Sequence, residues 1–300
     1  MLYNIDTQDS KSYNCITCFE ECYSLILKWL NKSNVILFCK SYFPHSYIQN
    51  ELFVGGYDYI SYDEIGRIHH IGNKMGYLKF KQYESDFWCM KRLFVEESQM
   101  PFIVKICPEK CRVFDDSKNY VENHLVLLYG IEKGMVFFYD TLIEKKIVIS
   151  EIEFSKCYDH SFYYMFLGDG DDFEKKSKLM YEEHIKSVQM KCNDYSTVSD
   201  GDGIDRIGSI LCIRDAFKIT GILTERLIKY IKKMNLYETN CEEIVNVLSD
   251  RKKVSNKGFM LAEYSRQRGV RLSQKCQDMY SQLCLLDTSI MDIIFPNYIL

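Results

Sequence analysis

Proline is scarce in this chain, four in 300 residues, and its fifteen glycines are scattered rather than gathered. With no Pro-, Gly- or Ser-rich tract there is no linker-like or low-complexity segment, so a compact folded chain is expected. No window reaches the roughly 18 uninterrupted apolar residues of a membrane span, and the opening MLYNIDTQDSKSY has neither the basic start nor the apolar centre of a signal peptide. Excess charge is lacking too. Lys plus Arg number 38 against 42 Asp plus Glu, a formal charge of -4, which argues against binding nucleic acid by phosphate neutralisation. The expectation is a cytoplasmic protein with no nucleic-acid and no membrane partner.

What the chain has in plenty is cysteine, thirteen in all. In a reducing compartment these are expected as free thiols, many of them serving as small apolar core residues. Three fall close together in YNCITCFEECYSLILKWLN, residues 13 to 31, at Cys15, Cys18 and Cys22. Phe19, Cys22, Leu25, Ile26, Trp29 and Leu30 recur at helical spacing, so the segment from about 18 to 31 reads as a helix with one buried face.

Thr17 and Glu20 fit the S/T-x-x-E capping box, which makes Thr17 the N-cap and puts Cys18 in the first helical position. Unpaired amides and the positive end of the helix dipole favour a thiolate there. Cys18 is thus the best-placed nucleophile, with Cys15 just upstream as the alternative and Cys22 one turn inside, in the apolar stripe. A cysteine nucleophile needs a base, and the base needs an orienting group.

The segment NHLVLLYGIEKGMVFFYDT, residues 123 to 141, supplies both. Two apolar runs joined by a short turn with Gly130 and Gly134 read as a β-hairpin, followed by a third strand, KKIVIS, and a short helix capped by Ser150 and Glu153. With the turn centred near residue 132, His124 lies directly opposite Asp140 on one face, where the carboxylate would hold the imidazole's tautomer. Upstream, NVILFC reads as a short buried segment, DFWCMKRLFVEESQM as an amphipathic helix ending before Pro101, and PFIVKIC as an interior strand.

Near residue 168 the texture changes to almost continuous helix, with candidates at 172 to 191, 204 to 219, 221 to 235, 239 to 250 and 256 to 287, and a capping box at Thr239 and Glu242. The expected division is 1-168 for a mixed α+β domain and 169-300 for a helical subdomain.

CFEECYSLILKWLN resembles the nucleophile helix of papain-like cysteine enzymes of the bacteriocin-leader-peptidase type, and NHLVLLYG with FFYDT resembles their His and Asp strands. The chain is most similar to the butirosin-biosynthesis acyltransferase family, over about residues 13 to 165, with a helical region following. The resemblance implies a papain-like fold, a nucleophile helix packed on an antiparallel sheet, with Cys18 as nucleophile, His124 as general base and acid, and Asp140 as orienter. It also implies acyl transfer from a carrier-protein thioester, through a Cys acyl-enzyme, to an amine acceptor. The setting would be a thiotemplated natural-product pathway, such as an aminoglycoside side chain or a peptide-like antibiotic of the closthioamide kind. The partners implied are an acyl or peptidyl carrier protein, delivering substrate on phosphopantetheine, and an amine; no cofactor of its own is expected. Ser12 stands where papain-like peptidases usually carry an oxyanion-hole Gln, which leaves Asn14 and the Cys18 amide as candidate donors. The same three side chains would also serve a cysteine peptidase or thioesterase, and a non-catalytic binding protein of that fold is a further alternative.

Other constellations weigh less. Cys15, Cys18, Cys107 and Cys111 make a possible four-thiolate zinc set, against which Cys18 and Cys22 stand at helical spacing. His45, His69 and His70 read as loop or surface residues, SDGDGIDRIG as a turn and cap, and IKYIKK with Arg226 and Lys229 as a basic helix face of the kind an acidic carrier helix would meet. Most of the 23 Tyr and 18 Phe belong to the core, and some of them suit an acyl tunnel.

Overall fold

The computed structural model describes residues 1-7, 15-55, 67-114, 124-192 and 207-295. They form two compact units, the first made of Met1–Asn34 and Ile68–Asp171, the second of Val35–Arg67 and Asp172–Leu300. The class is α+β. The break at 171 lies close to the expected 168, but the expected division is corrected at 35-67, which joins the helical unit through contacts far away in sequence. No helix among the described residues is long and apolar enough to cross a membrane.

In the first unit, helix α1 (Cys18–Trp29) begins where Thr17 accepts a hydrogen bond from the Glu20 amide at 3.3 Å. Phe19, Cys22, Tyr23, Leu25, Ile26 and Leu27 are buried, and the helix packs across β2 (Phe102–Ile106) and β3 (His124–Glu132). Elsewhere in the unit lie α3 (Ile68–Met75), β1 (Lys79–Glu84), α4 (Phe87–Glu96), β4 (Met135–Asp140), β5 (Lys145–Ser150), α5 (Glu151–Cys157) and β6 (Tyr158–Phe166). The strands form one antiparallel sheet in the order β1-β6-β2-β3-β4-β5. The apolar run of β2 is buried almost throughout, as a central strand requires. Rings of α4 and α5, Phe87, Phe94 and Phe154, share a core with Phe102, Val104, Val126, Leu128 and Phe138 of the sheet. Ser150 caps α5 by accepting from the Glu153 amide at 3.2 Å, as its spacing predicts.

The β3-β4 hairpin departs from the expected register. Its turn is Lys133-Gly134, both with positive φ (53° and 77°), the primed turn that matches strand twist. Carried straight down from Glu132↔Met135, this pairing would put Asp140 across from Leu127, on the opposite face to His124. A bulge intervenes. The register shifts between Leu128 and Gly130, so Leu127 faces Tyr139 and, one step on, Val126 faces Asp140. His124 and Asp140 therefore do share a face, but as a diagonal pair rather than the directly opposed one expected. Tyr129, the extra residue, gives its carbonyl to the Tyr3 amide at 2.8 Å, and Met1 bonds Ile131, so the opening residues take up the backbone groups the bulge turns aside.

Helix α3 sits tightly on α1. The Tyr23 hydroxyl donates to the Leu78 carbonyl at 2.7 Å, and a Cβ added at Gly72 would lie 1.9 Å from that oxygen. Gly72→Ala should therefore lower stability by about 1–3 kcal/mol, read as a drop in thermal midpoint, because the buried phenol has no room to retreat. Combining it with Tyr23→Phe should recover part of the loss.

In the second unit α2 (His45–Gly55), α6 (Phe173–Cys192), α7 (Ile207–Met234), α8 (Cys241–Arg268) and α9 (Gln274–Ile294) enclose an apolar core into which buried polar side chains are set. The breaks expected near residues 220 and 251-255 are absent. Gly221 lies inside α7, where a Cβ would meet Ser255 and Asn256 at 3.4 and 3.1 Å, so it marks a close helix crossing rather than a terminus. Helix α8 ends instead at Gly269, in the left-handed conformation with φ 62°. Its N-cap is Asn240, without a side-chain bond, and not the expected Thr239 box.

Arg226, expected on a basic surface, is buried with its guanidinium over Phe38, and Lys229 pairs with Glu225. His45 is likewise interior. Its Nδ1 lies 2.8 Å from the Thr220 hydroxyl, and burial, with the charge of Arg251, lowers it from 6.5 to about 3, which keeps the ring neutral.

Candidate active site

Three side chains expected to act together lie within the first unit and meet at one end of its sheet. Cys18 opens α1, His124 opens β3 and Asp140 closes β4. The thiol is half-buried, the imidazole 4% exposed and the carboxylate fully enclosed. Asp140 Oδ2 accepts from His124 Nε2 at 2.9 Å, and its Oδ1 accepts from the amides of Leu142 and Ile143 at 2.8 and 3.2 Å. Three bonds thus fix the carboxylate, which in turn fixes the ring. The sulfur of Cys18 acts on the same imidazole, helping to raise it, and with Nε2 taken by Asp140, Nδ1 is the nitrogen left for sulfur.

Burial alone would lower the His124 ring. The hydrogen bonds to Asp140 and Cys18, with the charges of both, reverse that and raise it from 6.5 to about 9. Burial alone would raise the Asp140 carboxyl, but the bond and charge of His124, helped by the two amides, hold it below its ordinary value. The protonated ring is therefore favoured at neutral pH, which suits an imidazolium between a thiolate and a carboxylate. By sign, a ring raised in this way stabilises the fold fully below about 6.5, and the contribution is lost as pH rises through about 9. Asp140→Asn should return the His124 titration toward 6.5, visible as an acid-ward shift of the His124 ring signals in a pH titration followed by NMR.

Glu20 has a second role. Its buried carboxylate accepts from the Ile16 amide at 2.7 Å and, through the other oxygen, from the Ile68 amide at 2.9 Å. It therefore holds the segment leading into Cys18 and the start of α3 against the mouth of α1. The capping-box spacing signalled the first contact one residue off, at Ile16 rather than Thr17, and nothing local signalled the second.

The other cysteines are placed less favourably. Cys22 is sealed in the interior, where burial, then the charges of Cys18, Glu21 and Asp140, push its thiol well up. Cys15 lies 3.5 Å from the Ser24 hydroxyl, along the side of α1. Asn14, the candidate oxyanion donor, falls outside the described residues, as do Ser12 and most of the SDGDGIDRIG stretch. Among the described residues no group of three or more His, Cys, Asp or Glu is gathered as metal ligands; Cys111, one of the four cysteines of the zinc spacing, is buried in the same core cluster as Cys157.

Beside the thiol lies a cluster of rings that spacing did not reveal. Phe19, next in chain to Cys18, contacts His69 at 4.5 Å, Phe80 at 5.2 Å and Tyr163 at 4.7 Å between ring centroids. His69, expected at the surface, is buried on α3. Burial, then the charge of Cys18, raises the Tyr163 phenol, which places that side chain within electrostatic reach of the sulfur. Only the strand alternation of FYYMF hinted that its tyrosines divide between two faces. No protein-family model matches the sequence, and no curated protein matches it.

Proposed function

We propose that this chain is a papain-like acyltransferase that forms an amide bond through a Cys18 acyl-enzyme. The observation carrying the reading is the buried 2.9 Å bond between His124 and Asp140, with Cys18 at the mouth of α1 acting on the same ring. The order of elements, a cysteine-bearing helix followed by antiparallel strands bearing His and Asp, supports the papain-like assignment.

The Cys18 thiolate attacks the carbonyl of an acyl thioester delivered by a carrier protein. The tetrahedral intermediate collapses, the carrier's phosphopantetheine sulfur leaves, and it takes the proton from the His124 imidazolium. An amine then attacks the acyl-enzyme. His124 accepts the amine's proton, the Cys18–acyl bond breaks, and the amide departs with the thiolate–imidazolium pair restored. Asp140 holds the ring in line for both transfers. Amides at the mouth of α1 are the donors best placed for the oxyanion. Exclusion of water separates this outcome from the hydrolysis of a peptidase or thioesterase with the same three residues.

The test is incubation of the purified chain with an acyl-pantetheine thioester, with and without an amine, followed by intact-protein and small-molecule mass spectrometry. An acyl adduct on Cys18 that an amine discharges to amide supports the reading. Discharge to free acid at the same rate with or without amine assigns a hydrolase, and no adduct at all favours a binding protein.

A further inference from the structure

The rings beside Cys18 differ in a way ordinary core packing does not require. Phe19 and His69 are closed off, whereas Phe80 of β1 and Tyr163 of β6 stay half-open and His70 is exposed. Gln82 pairs with Tyr163, and Phe80 lies two residues from Gln82, so Phe80 and Tyr163 share one face of the sheet. Phe19 lies edge-on to both, at interplanar angles of 60° and 85°. The half-open pair, with centroids 6.0 Å apart, packs on Phe19, the residue next in chain to the nucleophile, and the charge of the sulfur reaches Tyr163.

From this we infer that the acyl group carried on Cys18 is aromatic, its ring seated against Phe80 and Tyr163 and backed by Phe19. The inference rests on the acyl-enzyme reading above and specifies its substrate class. Aromatic walls favour another ring over a saturated group of equal size, because offset and edge-to-face contacts add to area burial. The thioester carbonyl then lies at the thiol while the ring fills the open side of the wall.

A matched pair of pantetheine thioesters tests it: phenylacetyl and cyclohexylacetyl, equal in carbon count, each with a methylene insulating the carbonyl from the ring. Single-turnover acylation of Cys18, followed by intact mass, should run on the order of tenfold faster for phenylacetyl. Phe80→Leu, a change at a half-open position of an edge strand, should bring the ratio close to one, and Tyr163→Leu should do the same. Equal rates in the unaltered chain, or a ratio that survives both substitutions, would overturn the aromatic assignment while leaving the acyl-enzyme standing. Failure of both thioesters to acylate Cys18 would overturn the two together.

Discussion

Cys18→Ala is expected to abolish the acyl adduct and lower amide formation by roughly 10³-fold or more, the scale seen when a nucleophile that works as one unit with its base is removed. The measurement is the thioester assay above, with the variant's circular dichroism as the check on folding. Cys22→Ala and Cys15→Ser serve as contrasts. Cys22 is sealed and its thiol pushed up by burial, and Cys15 lies against Ser24 along the helix side, so neither can take over the chemistry. A Cys18→Ala protein that kept even a tenth of the activity would move the nucleophile elsewhere. His124→Ala should cost nearly as much as Cys18→Ala, and the double variant little more than either, because losses within one proton-transfer unit do not add.

The second large effect concerns stability. Arg251 is fully buried in the helical unit, with Nε on Asp287 Oδ1 at 2.7 Å, Nη2 on the Phe43 carbonyl at 2.6 Å and Nη1 on the Thr224 hydroxyl. The other Asp287 oxygen accepts from the His45 amide at 2.7 Å, at the start of α2. Asp287→Ala strands a guanidinium and an amide away from water together, and should cost about 3–5 kcal/mol in urea unfolding. Replacing both charges, as Arg251→Met with Asp287→Leu, should cost clearly less than the single change. The expensive state is the unpaired charge rather than the missing bridge.

What the sequence made legible follows the range of the interactions. The α1 cap and stripe and the Ser150 cap are set within a few residues and are found where spacing puts them, and the hairpin is present with its register displaced. The breaks expected near residue 220 and at 251-255 both fall inside helices, α7 and α8. Gly221 and Ser255 lie where α7 and α8 press together, and Arg251 and Ser255 bond inward to Thr224 and the Phe217 carbonyl. That residues 35-67 belong with the second unit depends on partners well over a hundred residues away, such as Ser177 on the Ile36 carbonyl and Arg251 on Phe43. At the candidate site the sharing of one sheet face by His124 and Asp140 was readable from their positions. The carboxylate of Glu20 reaching Ile68, and the rings of Phe80 and Tyr163 packing on Phe19, join segments that no local pattern connects.

The spare residue at Tyr129 leaves a constraint on how this hairpin can drift. A strand has two sides and nothing between them, so gaining or losing one amino acid within either paired strand, between the imidazole and the turn or between the turn and the acid, carries one of them through to the far side. Length changes in this stretch are survivable only in twos, or as one residue offset by a new kink. An even count has to be kept across a turn whose own geometry, left alone, would make it odd.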